Sequence, residues 1–228
     1  MKVRILGSSK WMKAGWKPLL KVWMDLLADY EHLGEGSPPD VAYWYGERAL
    51  TGTLATAAWR ANGRWWALEE FLGIRIAEGK GKASGRGDLW VGLGRDGNRR
   101  RQASFTIEAK ASYVGRGMNG IVASIEGRLK AAKTQLRSLD REFSVGYPMA
   151  ICYHIPPVLK RRAAARTSVA IFDEVTKTFA ARPNTIVGAY WHDLSSAPAH
   201  GKWYYPGVIL VGQVFTSLRG WRGIFERR

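Results

Sequence analysis

The sequence predicts a mixed α/β protein whose middle reads as helix, strand, hairpin, helix and strand. Three observations lead there. Residues 121–139 carry the clearest helical stripe, with Ile121, Val122, Ile125, Leu129, Ala132, Leu136 and Leu139 on one side and Arg128, Lys130, Lys133 and Arg137 elsewhere. Two strand-like runs, DLWVGLG and ASFTIEAKA, flank RDGNRRR, whose Asp96-Gly97-Asn98 is a strong turn signal, so they read as a hairpin. Short apolar runs, YPMAICYHI, TIVGAYW and GVILVGQVF, have the length and boundaries of buried strands.

The remaining elements follow in chain order. Residues 17–30 read as an amphipathic helix, with Pro18 suited to a first helical position and Leu19, Val22, Trp23, Leu26, Leu27 and Tyr30 on one face. That face is a candidate for core packing, or for docking a second copy or a partner subunit. HLGEGSPPD reads as a loop, and Asp40 as the cap of a helix over 41–62. In that helix Leu50, Leu54, Ala57 and Ala58 form a stripe that Glu47 shares. A carboxylate there needs a reason, because burying an unpaired charge is costly. Residues 65–76 alternate as a strand through Trp66, Leu68, Leu72, Ile74 and Ile76, with Glu70 interrupting, although the first half also suits a helix. Residues 78–87, EGKGKASGRG, read as a glycine-lysine loop, and 169–179 as a further helix. The expected organisation is a helical extension at 1–40 and one domain at 41–228 with extra strands towards its end.

Composition narrows the function. The chain has 228 residues, 35 Lys+Arg against 19 Asp+Glu, and a net charge of +16. An excess of this size is what proteins that meet phosphate backbones carry; a solvated basic surface or an acidic protein partner is the competing source. With one cysteine, Cys152, a disulfide framework and a Cys-rich zinc site are excluded, and its apolar setting suggests an inert buried thiol. No apolar run has the about 18 to 20 residues of a membrane helix, and MKVRILGSSKWMK lacks an apolar signal core. A cytoplasmic protein is therefore expected. There is no GxxxxGK[ST] phosphate loop, no GxSxG elbow, and no Cys pair near His192 and His200. Cys152 and His154, two apart on a strand, lack attack geometry.

The hairpin holds the sharpest chemistry. Asp88 opens its strand after Gly85 and Gly87, while Glu108 and Lys110, two apart on the next strand, project from one face. Antiparallel pairing brings Asp88 near both. Two carboxylates and an ammonium at one strand end suit Mg²⁺, a hard ion that keeps several waters and is completed by a substrate phosphate. The competing reading is a surface ion pair on a solvated sheet face. For Glu47 it is a carboxylate satisfied by a nearby Arg, and Glu69 and Glu70 are the substitutes if the helix is misplaced.

DLWV…FTIEAK, an Asp with nineteen residues between it and Glu-x-Lys, resembles the signature of the PD-(D/E)XK nuclease superfamily. An acidic-x-Lys tripeptide alone means little, and another stands at Glu78-Gly79-Lys80, but that copy lacks apolar strand flanks. Gly87 stands where the signature has Pro. The resemblance covers about half the chain and implies a restriction-endonuclease-like core: helix, three-strand meander, helix, strand. It implies a Mg²⁺-dependent deoxyribonuclease, with Mn²⁺ able to substitute, of the kind found in phage defence, recombination or repair. Carried over, Asp88 and Glu108 are metal ligands with the Ala109 carbonyl as a third, Lys110 activates water, Glu47 assists metal or water, and Gln135 is a candidate on the helix. Arg99, Arg100, Arg101, Lys130, Lys133 and Arg137 are the candidate contacts to DNA, with RNA left open. The rivals are a non-catalytic nucleic-acid-binding subunit and an assembly component whose basic surface meets acidic protein.

Overall fold

In a computed structural model, the structure describes residues 2–32, 40–61, 63–77, 81–95, 98–114, 118–139, 146–159, 165–192 and 197–216. Ten strands and four α-helices follow in the order β1 (Lys2–Gly7), α1 (Lys17–His32), α2 (Gly46–Arg60), β2 (Trp65–Ala77), β3 (Gly81–Arg95), β4 (Asn98–Ser112), α3 (Met118–Ser138), β5 (Tyr147–His154), β6 (Val158–Leu159), α4 (Ala165–Ala180), β7 (Thr185–Trp191), β8 (Ala199–His200), β9 (Trp203–Tyr204) and β10 (Gly207–Val214). Seven strands form one sheet in the order β1-β7-β10-β5-β4-β3-β2. All neighbours run antiparallel except β4 and β5, which are parallel and joined through α3. A parallel pair needs such a crossover. β6, β9 and β8 make a small second sheet.

Helices cover both faces of the large sheet. Alternating residues of each strand divide between them: Met149, Ile151 and Tyr153 of β5 pack with α1 and α2, while Ala150 and Cys152 pack with α3 and α4. The first core is aromatic. The rings of Trp16, Trp65 and Phe105 meet with centroids 5.4 to 6.4 Å apart, geometry that adds to simple area burial. No helix among the described residues is long and apolar enough to cross a membrane.

Several sequence expectations need correction. The segment 1–40 is not only helical: β1 precedes α1 and pairs with β7 along its whole length. Leu19, Leu20, Trp23, Met24 and Leu27 of α1 lie fully inside the first core. The face offered for docking another chain is therefore spent within this one. The helix expected over 41–62 starts later. A 3₁₀ turn at Ala42–Tyr45 comes first, and Gly46, at φ +81, redirects the chain into α2. Asp40 does not cap α2; its carboxylate accepts from Val41 N and from the hydroxyls of Tyr30 and Tyr45.

Residues 78–87 are not all loop, since β3 begins at Gly81 and pairs with β2 through Gly87. Glycines allow this. A Cβ on Gly85 would stand 2.6 Å from Arg75 Cγ, and one on Gly87 2.3 Å from Phe71 Cζ, so each lets a side chain of β2 cross over it. In β2 the buried set is Trp65 and Ala67, whereas Leu68 is 56% exposed, because pairing with β3 sets the opposite parity from the expected one. The side chains of Leu72, Ile74 and Ile76 and the turn at 96–97 lie outside the described residues.

Candidate active site

The ladder between β3 and β4 ends at Leu89↔Ile107. Asp88 and Glu108 are the next residues on each strand, where β3 leaves β4 and continues along β2 alone. Here backbone groups lose their ladder partners, and side chains take them up. Asp88 Oδ2 accepts from Ala109 N at 2.8 Å, and Glu47 Oε2 accepts from Ala111 N at 3.1 Å. α2 supplies Glu47 from its first turn, on the flank of the stripe that buries Leu50 and Leu54.

Lys110 lies between the two acids. Its Nζ is 3.3 Å from Glu47 Oε1, 3.8 Å from Asp88 Oδ2 and 2.5 Å from the Ala109 carbonyl. Glu108, fully buried, takes a different cation. Arg75 of β2 approaches Glu108 Oε1 at 2.6 Å and also donates to the carbonyls of Gln135 and Arg86 and to Ser138 Oγ. Burial, then the nearby Asp88 charge, push the Glu108 carboxyl up to about 7, with Arg75 opposing.

The site opens into a cavity of about 610 Å³ lined by Glu47, Arg48, Thr51, Glu69, Glu70 and Asp88. Glu70 sits at φ +45 across from the β3 residues flanking Asp88, and its carboxylate pairs with the exposed Arg48 and, at 2.7 Å, Arg86. Those two guanidinium groups hold Glu70 below the usual carboxylate range, Arg86 foremost. Glu70, on the cavity wall, thus pairs with two exposed arginines, Arg48 of the lining and Arg86.

Asp88, Glu108, Lys110 and Glu47 therefore come together, but not as one ring of ligands. Glu47 turns towards Lys110 and the β4 backbone, and no group of three His, Cys, Asp or Glu side chains among the described residues is arranged to hold a metal ion. The expected ligand set Asp88, Glu108 and Glu47 reduces to a pair. That pair fits a divalent cation: Glu108 Oε2 is buried with no hydrogen-bond partner among the described residues, and the Asp88 charge opposes its ionisation. A hard cation would relieve both.

Sequence reasoning missed Arg75, Arg48 and Arg86. Arg75 had one visible signal, a cation set between Ile74 and Ile76 in an apolar run. Gln135 reaches the site through its backbone carbonyl, which holds Arg75. On α3, Lys130 and Arg137 are exposed, while the Lys133 ammonium lies 4.5 Å from the Phe215 ring centroid. The backbone of Arg99, Arg100 and Arg101 belongs to the turn end of β4, far along the strand from Glu108; their side chains lie outside the described residues. His154 and Cys152 are buried away from the cavity, and burial shifts the imidazole down to about 4 and the thiol up to about 12. Compared with protein-family models, curated proteins and solved structures, the chain matches none.

Proposed function

We propose that this chain is a divalent-metal-dependent nuclease of the PD-(D/E)XK type, hydrolysing phosphodiester bonds of DNA as an endonuclease. The observation that carries the reading is the placement of Asp88, Glu108 and Lys110 at the parting of β3 and β4, beside a cavity that Asp88, Arg48 and Glu70 line and whose Glu70 also pairs with Arg86. The order α2, β2–β3–β4, α3, β5 supports a restriction-endonuclease-like core.

Mg²⁺, or Mn²⁺ in its place, held by Asp88 and Glu108, would supply Lewis acidity at the scissile phosphate. The protein groups divide the rest of the work. Lys110 presents an ammonium to the attacking water and to charge developing on the phosphoryl oxygens. Glu47 and the Ala109 carbonyl hold that ammonium in place, so little ordering remains when substrate arrives. Arg75 fixes one oxygen of Glu108 and leaves the other without a hydrogen-bond partner among the described residues. Arg48 and Arg86 are exposed enough to exchange Glu70 for a phosphate, a bidentate partner of equal charge.

Incubation with circular and linear DNA, with Mg²⁺ or with EDTA, tests the reading. Cutting of the circle with Mg²⁺, absent in EDTA and strongly reduced in Lys110→Ala, is the expected result. Binding without cutting under any divalent ion would replace the nuclease by a non-catalytic DNA-binding subunit.

A further inference from the structure

A second cavity, about 270 Å³, is lined by Trp44, Tyr113, His200 and Tyr205. It is coupled to the acidic site: burial, then the Glu47 charge, push the Tyr113 hydroxyl up. Trp44 stands three residues before Glu47, and Tyr113 three after Lys110. The Tyr113 hydroxyl lies 3.1 Å from where a Cβ on Gly46 would stand, over the start of α2. The opposite wall comes from the small sheet: Trp44 meets the His200 ring at 5.9 Å and the Tyr205 ring at 6.0 Å, both edge-on. Tyr43 donates to the Tyr205 carbonyl at 3.1 Å, tying that wall to the turn before α2.

Building on the nuclease reading, we propose that this aromatic cup receives an unpaired nucleobase of the DNA strand being cut. Four rings offer stacking faces that tolerate any base, which is how proteins hold single strands without reading sequence. The volume lies below the about 300 to 1,000 Å³ of drug-sized sites, suiting one ring system. Tyr113 and His200 present a hydroxyl and an imidazole for base edges, and exposed Lys202 follows on the β8–β9 turn. The chain's charge of +16 favours the attached phosphates. A base in a stacked duplex cannot enter a cup this close to the scissile position. The preferred substrate is therefore DNA whose bases are unpaired next to the cut: single strands, frayed ends or flaps.

The test uses the full chain in EDTA, where nothing is cut, with a short labelled oligothymidylate and a blunt duplex of the same length, read by fluorescence anisotropy. The oligothymidylate is expected to bind more tightly. Tyr113→Ala and Trp44→Ala should each weaken it by about tenfold to a hundredfold while the duplex loses far less. Tyr113 is 46% exposed, so its variant keeps the fold, and far-ultraviolet circular dichroism checks Trp44→Ala. Equal affinity for both DNAs, no measurable binding, or variants that keep the single-strand preference would each overturn the proposal. Failure of the nuclease reading looks different: single-strand preference intact in EDTA, and no cutting when Mg²⁺ is added.

Discussion

A partly buried ion pair at 2.6 Å joins Arg75 of β2 to the buried Glu108 of β4, across the width of β3, and it leaves the second Glu108 oxygen without a hydrogen-bond partner among the described residues. Removing one member of a buried pair usually costs about 3 to 5 kcal/mol, because the other charge stays behind uncompensated. Glu108 has an escape, since it can take up a proton. Arg75→Met should therefore lower the thermal midpoint more above the Glu108 value of about 7 than below it. Equal losses on both sides, measured by calorimetry, would show that the guanidinium does not govern this carboxyl.

A cation held by Glu108 would compete with that same proton. Glu108 must be ionised to bind, so Mn²⁺ affinity should fall by roughly tenfold per pH unit below about 7 and level off above it. Glu108→Gln should bind weakly and without this slope. Titration calorimetry or the Mn²⁺ paramagnetic signal reads both, and a flat profile for the native protein argues against Glu108 as a ligand.

Lys110 contacts Glu47, Asp88 and the Ala109 carbonyl, and all three would hold its ammonium near the cut. Lys110→Ala should reduce cleavage by about a hundredfold to a thousandfold, the range for removing a positioned group that stabilises developing charge. DNA affinity in EDTA should change little. Glu47→Gln keeps a hydrogen-bonding oxygen but loses the charge, and should fall between the two. A Lys110→Ala enzyme that cuts at the native rate would remove Lys110 from the chemistry.

His154 makes the fold lose stability on the acid side. Its ring is buried, with Nδ1 3.2 Å from Ser112 Oγ, and burial depresses the imidazole to about 4 from its ordinary 6.5. The unfolded chain binds the extra proton first, so stability present above pH 6.5 is lost as pH falls towards about 4, on the order of 3 kcal/mol. His154→Phe should flatten that decline in urea denaturation series, while Ser112 keeps its bond to Ser124 Oγ at 2.7 Å. An unchanged slope in the variant would assign the loss to other groups.

Periodicity and turn chemistry were readable wherever they are written into neighbouring residues. The stripe of α3, the pairing of β3 with β4 as a hairpin and the two-residue spacing of Glu108 and Lys110 need only a few positions each, and the elements follow them. The juxtaposition of Asp88 with Glu108 was also accessible, because a short hairpin register is a local property. Strand pairing across long separations was not. Residues 81–87 look like a loop by composition and become strand only because β2 lies alongside, and their glycines make room for Phe71 and Arg75.

The amino-acid order by itself determined the alternation of helix and strand, the basic character and the acid-x-lysine strand. Tertiary packing alone decided that β1 closes one edge of the sheet, that the α1 face is consumed inside, that Arg75 rather than solvent answers Glu108, and that aromatic rings from Trp44 to Tyr205 enclose a cup. The reason is one of range. Backbone and side-chain preferences act over a turn or two of chain, whereas charge compensation and cavity walls depend on which distant segments burial forces together.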